Sequence, residues 1–148
     1  MPYNYILLFT YTFCMTFILS FICSHYDPKI VTSACFMTIA IALSLTLYAM
    51  TAKQSFVPCL AFMFCFLIIM IIMTLVLCFY YIRVAYTIYC VLGVLLYSIF
   101  IIIDTTLICG GKRYGLSVDD YAFAALILYI DIIQLFLEIL RLLGDRWI

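Results

Sequence analysis

A chain of 148 residues that is 70% hydrophobic and only 9% charged lies far from a soluble globular domain, which is about half apolar and about a quarter charged. It reads as an integral membrane protein, and seven basic against seven acidic residues leave no net charge with which to grip a nucleic acid or an anionic lipid surface. Eight cysteines without a C-x-x-C pair, and one histidine, His25, supply neither a disulfide framework nor a zinc or haem donor set. The cysteines therefore read as small packing hydrophobes, with no metal or cofactor expected.

The first apolar run, Tyr5 to Cys23, follows Met1-Pro2-Tyr3-Asn4 with no Lys or Arg before it, and no small-residue cleavage pattern closes it. It is a span and not a signal peptide, since about 20 residues cross a hydrocarbon core of about 30 Å. In the turn Ser24-His25-Tyr26-Asp27-Pro28-Lys29, Pro28 cannot continue the helix before it. The second run, Ile30 to Met50, sets Ala34, Thr38, Ala42 and Thr46 four apart. Such a stripe lets a neighbouring helix approach closely; a pore lining of hydroxyls is the alternative, and packing is the expected role. Thr51 to Ser55, with Lys53, is a short loop.

The third run, Phe56 to Tyr81, carries no charge and is longer than a bilayer needs at about 1.5 Å per residue. It should tilt or begin outside the hydrocarbon at Pro58, with Tyr80 and Tyr81 marking an interface before Arg83. The fourth run, Val84 to Cys109, is interrupted by one acid, Asp104, and is followed by the loop Gly110-Gly111-Lys112-Arg113-Tyr114-Gly115. Ser117-Val118-Asp119-Asp120 has the Ser-x-x-acid form of a capping box, so the fifth helix begins near Val118, and Gly144 is its expected stop.

The fifth run differs from the others in carrying polar side chains through its length. Asp131, Gln134, Glu138 and Arg141 fall at i, i+3, i+7 and i+10, one stripe on a helix. An acid at the centre of a lipid-facing helix costs about 2.5–3.5 kcal/mol or more, so the stripe faces protein or water. The alternative role for the stripe is to glue helices together. The expected architecture is an all-α integral membrane protein, residues 1–148 forming a single membrane domain without a soluble one. Its five helices lie near 5–23, 30–50, 57–81, 84–109 and 118–143, with the polar-striped C-terminal helix innermost. Lys53, Lys112 and Arg113 lie on the side of the N-terminus against Lys29, Arg83, Arg141 and Arg146 on the other, so charge does not set the orientation.

Several stretches together resemble the transmembrane Bax inhibitor motif family, and most closely its lifeguard-type members. They are Asp104-Thr105-Thr106-Leu107, Gly111 to Tyr114, Leu116-Ser117-Val118-Asp119-Asp120-Tyr121, Phe123-Ala124-Ala125-Leu126 and Leu128-Tyr129-Ile130-Asp131-Ile132-Ile133. Weaker similarity runs through Tyr89 to Gly93, Thr51-Ala52-Lys53 and Asn4 to Leu8. The chain departs from the family at Thr106, where Gln is usual, and is similar to it from the third of the family's seven spans onward.

The resemblance implies a calcium-leak channel of an intracellular membrane, such as the endoplasmic reticulum or Golgi, that suppresses cell death. In the family two buried aspartates share a proton and sense pH, and they match Asp104 and Asp131. A basic residue on the second span helps to latch that pair, and with that span missing closure is expected to be incomplete. Calcium would be cargo and not a cofactor. The expected partners are the lipid bilayer and, through helix contacts, full-length family members or cell-death regulators.

Independently of the resemblance, two carboxyls close together in low dielectric cannot both ionise cheaply, so they titrate as a pair. That makes a proton-controlled switch, or a cation site when both are ionised; the alternative is two acids tied to nearby hydroxyls, for which Thr105, Thr106 and Tyr129 are available. At about 1.5 Å per residue, Asp104 lies roughly 9 Å and Asp131 roughly 15 Å from the apolar ends of their helices. Their meeting requires tilt or an extension of the fourth helix beyond Cys109. Aspartates on adjacent spans also describe an intramembrane protease, but the Tyr-Asp and Gly-x-Gly-Asp motifs of such enzymes are missing and no catalysis is expected. A non-conducting shortened paralogue that binds full-length relatives is the competing function.

Overall fold

The computed structural model describes residues 2–51, 59–109 and 118–147. These fold as α1 (Pro2–Ser24), α2 (Pro28–Thr51), α3 (Cys59–Phe79), α4 (Arg83–Cys109) and α5 (Val118–Trp147), with no strand among them. Each helix is long and apolar enough to cross a membrane, and the chain is an all-α integral membrane protein.

Local chemistry sets the turns. Pro2 and Pro28 open α1 and α2, where a missing N–H is harmless. Asp27 caps α2: its Oδ1 accepts from the Lys29 amide at 3.3 Å, and its carbonyl accepts from Ile30 and Val31. The last carbonyls of α1 are met by the turn that follows, through the Ser24 hydroxyl on Phe21 at 2.6 Å and the amides of His25 and Tyr26 on Ile22 and Cys23. Helix α3 ends at Phe79, two residues before the expected end of the third span, and the chain turns at residues 80–82 before α4. The expected loops at 52–55 and 110–115, and the start at Pro58, lie outside the described residues.

Helix α5 is the enclosed element. Seven of the ten residues from Asp131 to Leu140 are buried, whereas α1 buries none. Helices α2, α4 and α5 pack on one another, α3 lies chiefly against α4, and α1 chiefly against α5. Ala34 of α2, Ile101 of α4 and Leu135, Ile139 and Leu140 of α5 form one buried cluster, and Met63 and Met70 of α3 join Leu96 and Ile103 of α4 in another. Ala34 and Thr38 are both buried, so the small-residue stripe of α2 seats a neighbour. The Thr38 hydroxyl donates to the Ala34 carbonyl at 2.7 Å and is satisfied within its own helix, as are those of Thr12 and Ser98.

The fifth helix does not stop at Gly144 but runs through it to Trp147. The reason for glycine there is contact. A Cβ at this position would lie 2.8 Å from Cδ1 of Tyr26 and nearer still to Cε1, so the absent side chain admits the ring from the α1–α2 turn. Close approach, and not a left-handed cap, explains the residue.

Candidate functional site

The antiparallel packing of α4 on α5 brings polar side chains together at two levels. One face of α4, with Tyr86, Cys90, Gly93, Tyr97 and Asp104 at i, i+4, i+7, i+11 and i+18, repeats at helical spacing and turns toward the α5 stripe.

At the first level Asp104 meets Asp131. Asp131 is buried and Asp104 half-buried, and their carboxyl groups lie within hydrogen-bonding reach of one another. A carboxylate has no proton to donate, so a hydrogen bond between the two carboxyl groups requires a proton on one of them. Oδ2 of each aspartate is buried with no partner, as is the Thr105 hydroxyl oxygen. Neither the Thr105 nor the Thr106 hydroxyl ties the acids down. Thr106 donates to the Ile102 carbonyl at 2.7 Å, and the Tyr129 ring packs edge-on against Tyr11 at 6.3 Å between centroids. Any extension of α4 past Cys109 lies outside the described residues, yet the two carboxyls reach each other.

At the second level, seven residues further along α5 and roughly 10 Å away at about 1.5 Å per residue, stands Glu138, 2% exposed. Its Oε1 accepts from Arg141 Nη1 at 3.2 Å, an i,i+3 pair in which the arginine side chain is 35% exposed and the glutamate side chain 3%. Opposite it, α4 presents Gly93. A Cβ there would lie 3.0 Å from Cδ and 3.2 Å from Oε2 of Glu138, so the glycine is a notch that receives the carboxyl. The Cys90 thiol, fully buried, is hydrogen-bonded to Glu138, and the Tyr86 hydroxyl to Cys90. Oε2 has no partner. Gln134 is half-buried on the turn after Asp131.

Sequence reasoning named Asp104, Asp131, Gln134 and Glu138 but missed the α4 side of the second level. The signal was present: Gly93 is an isolated glycine inside a helical run, one turn from Cys90 on the same face. Among the described residues no group of three or more His, Cys, Asp or Glu side chains is placed to hold a metal ion. Tyr26, in the turn outside the spans, is half-buried, and burial pushes its phenol up from the ordinary value while nearby Arg141 pulls the other way.

Comparison with known proteins gives a consistent picture. Residues 1–147 match the family described as Inhibitor of apoptosis-promoting Bax1. Protein lifeguard 3 of Homo sapiens is 35% identical over 150 residues, a match that covers 98% of this chain and 48% of that protein. Its counterpart in Mus musculus is 33% identical over the same extent, and protein lifeguard 4 of Mus musculus is 34% identical across 96% of this chain and 58% of its own length. The chain thus spans about half the length of the curated relatives it matches.

Proposed function

Because this chain belongs to the Bax inhibitor family, with lifeguard proteins among its relatives, we propose that it is a multi-pass protein of an intracellular membrane that restrains cell death by a pH-dependent cation leak, calcium being the ion. The observation that carries the reading is the direct contact of Asp104 with Asp131 between α4 and α5, with an unpartnered buried oxygen on each. While one proton is shared, the pair carries a single negative charge held in a hydrogen bond across a low-dielectric wall. Once it is lost, two carboxylates repel one another, and the four oxygens suit a hard divalent cation. Gln134 and Glu138 extend the polar face of α5 away from the pair. The reading is non-enzymatic, with calcium as cargo.

The test is calcium efflux from proteoliposomes at about pH 6 and about pH 8 for the wild type, Asp131→Asn and Asp104→Asn. We expect the wild type to leak several-fold faster at the higher pH, and both variants to lose most of that dependence. Equal flux at both pH values in all three proteins removes the switch. Flux no greater than from empty liposomes favours a non-conducting partner of longer relatives, for which co-purification is the assay.

A further inference from the structure

We propose that Glu138 forms a second cation site, closed by Arg141 and opened independently of the aspartate pair, at the end of the bundle where the α1–α2 turn lies. The inference rests on the reading of the α5 stripe as an ion path and assigns that path its second barrier. Glu138 is 2% exposed, keeps one oxygen without a partner, and lies in a notch at Gly93, where a Cβ would come within 3.0 Å of its Cδ. An acid is an expensive choice for so enclosed a position if packing were its whole role, because its second oxygen loses water and gains nothing.

Arg141 is built as the lid. It neutralises Glu138 through a 3.2 Å contact from the next turn of the same helix, and its side chain is about a third exposed, so it can swing outward without moving α5. Among the described residues the other neighbours are uncharged: Tyr86, Tyr89, Cys90 and Tyr97 come from α4, and Tyr26 from the α1–α2 turn lies near the guanidinium. With Arg141 turned away, Glu138 offers a carboxylate to a cation leaving Asp131, about 10 Å back along the helix. The two barriers obey different controls. The aspartate pair answers to protons, and the Glu138 site to displacement of one cation, the guanidinium, by another.

Cys90 reports on the site because its thiol touches Glu138 and is fully buried. The full-length chain in liposomes is treated with a small cationic methanethiosulfonate, and modification of Cys90 is read by mass spectrometry with Cys90→Ser as the blank. The wild type should label slowly, Arg141→Gln several-fold faster, and Arg141→Lys close to the wild type. Calcium should slow labelling of Arg141→Gln, and the double variant Arg141→Gln with Glu138→Gln should lose that protection. Unchanged labelling in Arg141→Gln, or faster labelling that calcium does not affect, overturns the proposal, the second outcome meaning that the substitution merely loosens the bundle. Labelling requires no net flux, so calcium protection in a protein that does not leak would leave this site standing while the proposed leak fails. A leaking protein without protection would do the reverse.

Discussion

Asp131 and Glu138 stand on one face of one helix, both buried and each with an oxygen that meets no partner, yet their environments differ in what offsets their charge. Asp131 faces another acid, Asp104, from the neighbouring helix. Glu138 faces a base, Arg141, from its own. In an acid–acid pair the repulsion of the second carboxylate is removed by a shared proton, which enters and leaves with the medium. An acid–base pair is kept neutral by a fixed covalent charge, which only another ion can replace. On the proposed reading one helix holds a proton-controlled contact and a charge-controlled contact about two turns apart, and removing the charge from each should have unequal consequences.

The largest expected effect breaks the comparison at Glu138. Arg141→Gln leaves a carboxylate in a notch with no counter-charge. Breaking a fully buried pair costs about 3–5 kcal/mol; because the Arg141 side chain is 35% exposed and partly screened, we expect about 2 kcal/mol. Asp131→Asn should be within about 1 kcal/mol of the wild type at neutral pH, since an amide can donate to Asp104 where the shared proton did. Unfolding in detergent, followed by helical circular dichroism, measures both. Equal losses would mean that the two carboxyls are neutralised in the same way.

A smaller effect sharpens the geometry around the second level. Gly144→Ala sets a methyl against the Tyr26 ring, so the ring and the turn that carries it must shift, at a cost of about 1 kcal/mol, the low end for overpacked contacts because a turn can give. The same substitution made together with Tyr26→Ala should cost nothing further, because the obstructing ring is gone. A double-mutant cycle in the same unfolding assay reads this directly: additive losses would show that Gly144 is needed for its backbone and not for the ring.

Much of the architecture was legible because lipid is an intolerant solvent. A run of apolar residues can only be a span, and a striped one such as 121–143 can only be enclosed; the burial of Asp131, Leu135, Glu138 and Leu140 follows. Thr38 and Ala34 were likewise readable as packing residues from their spacing. What stayed hidden were contacts whose reason lies far away in the chain. Gly144 looks like a helix stop until Tyr26, more than a hundred residues earlier, is found on top of it. Cys90 reads as a small hydrophobe by composition, and only the register of α4 against α5 places it on Glu138. The meeting of Asp104 with Asp131 was suggested by family likeness, against depths that differ by about 6 Å at 1.5 Å per residue.

The smallest effect concerns pH at the second level and separates it from the first. Tyr26 lies in the turn between two spans, and burial raises its phenol above the ordinary value of 10.0, with Arg141 opposing the rise. The folded protein therefore holds the Tyr26 proton more tightly than the unfolded chain does. Stability from this source is complete below about pH 10 and is lost as the pH climbs through the raised value, because there the unfolded state releases a proton that the folded state keeps. Tyr26→Phe removes the titrating group while keeping the ring on Gly144, so its stability should decline less steeply above about pH 10 than that of the wild type. Arg141→Gln removes the opposing charge and should steepen the wild-type decline. Asp131→Asn, two turns away, should leave the alkaline slope where it is. A slope that responds to Asp131→Asn as strongly as to Arg141→Gln would mean that the two levels titrate as one network, and the contrast between a proton-controlled and a charge-controlled contact would fall.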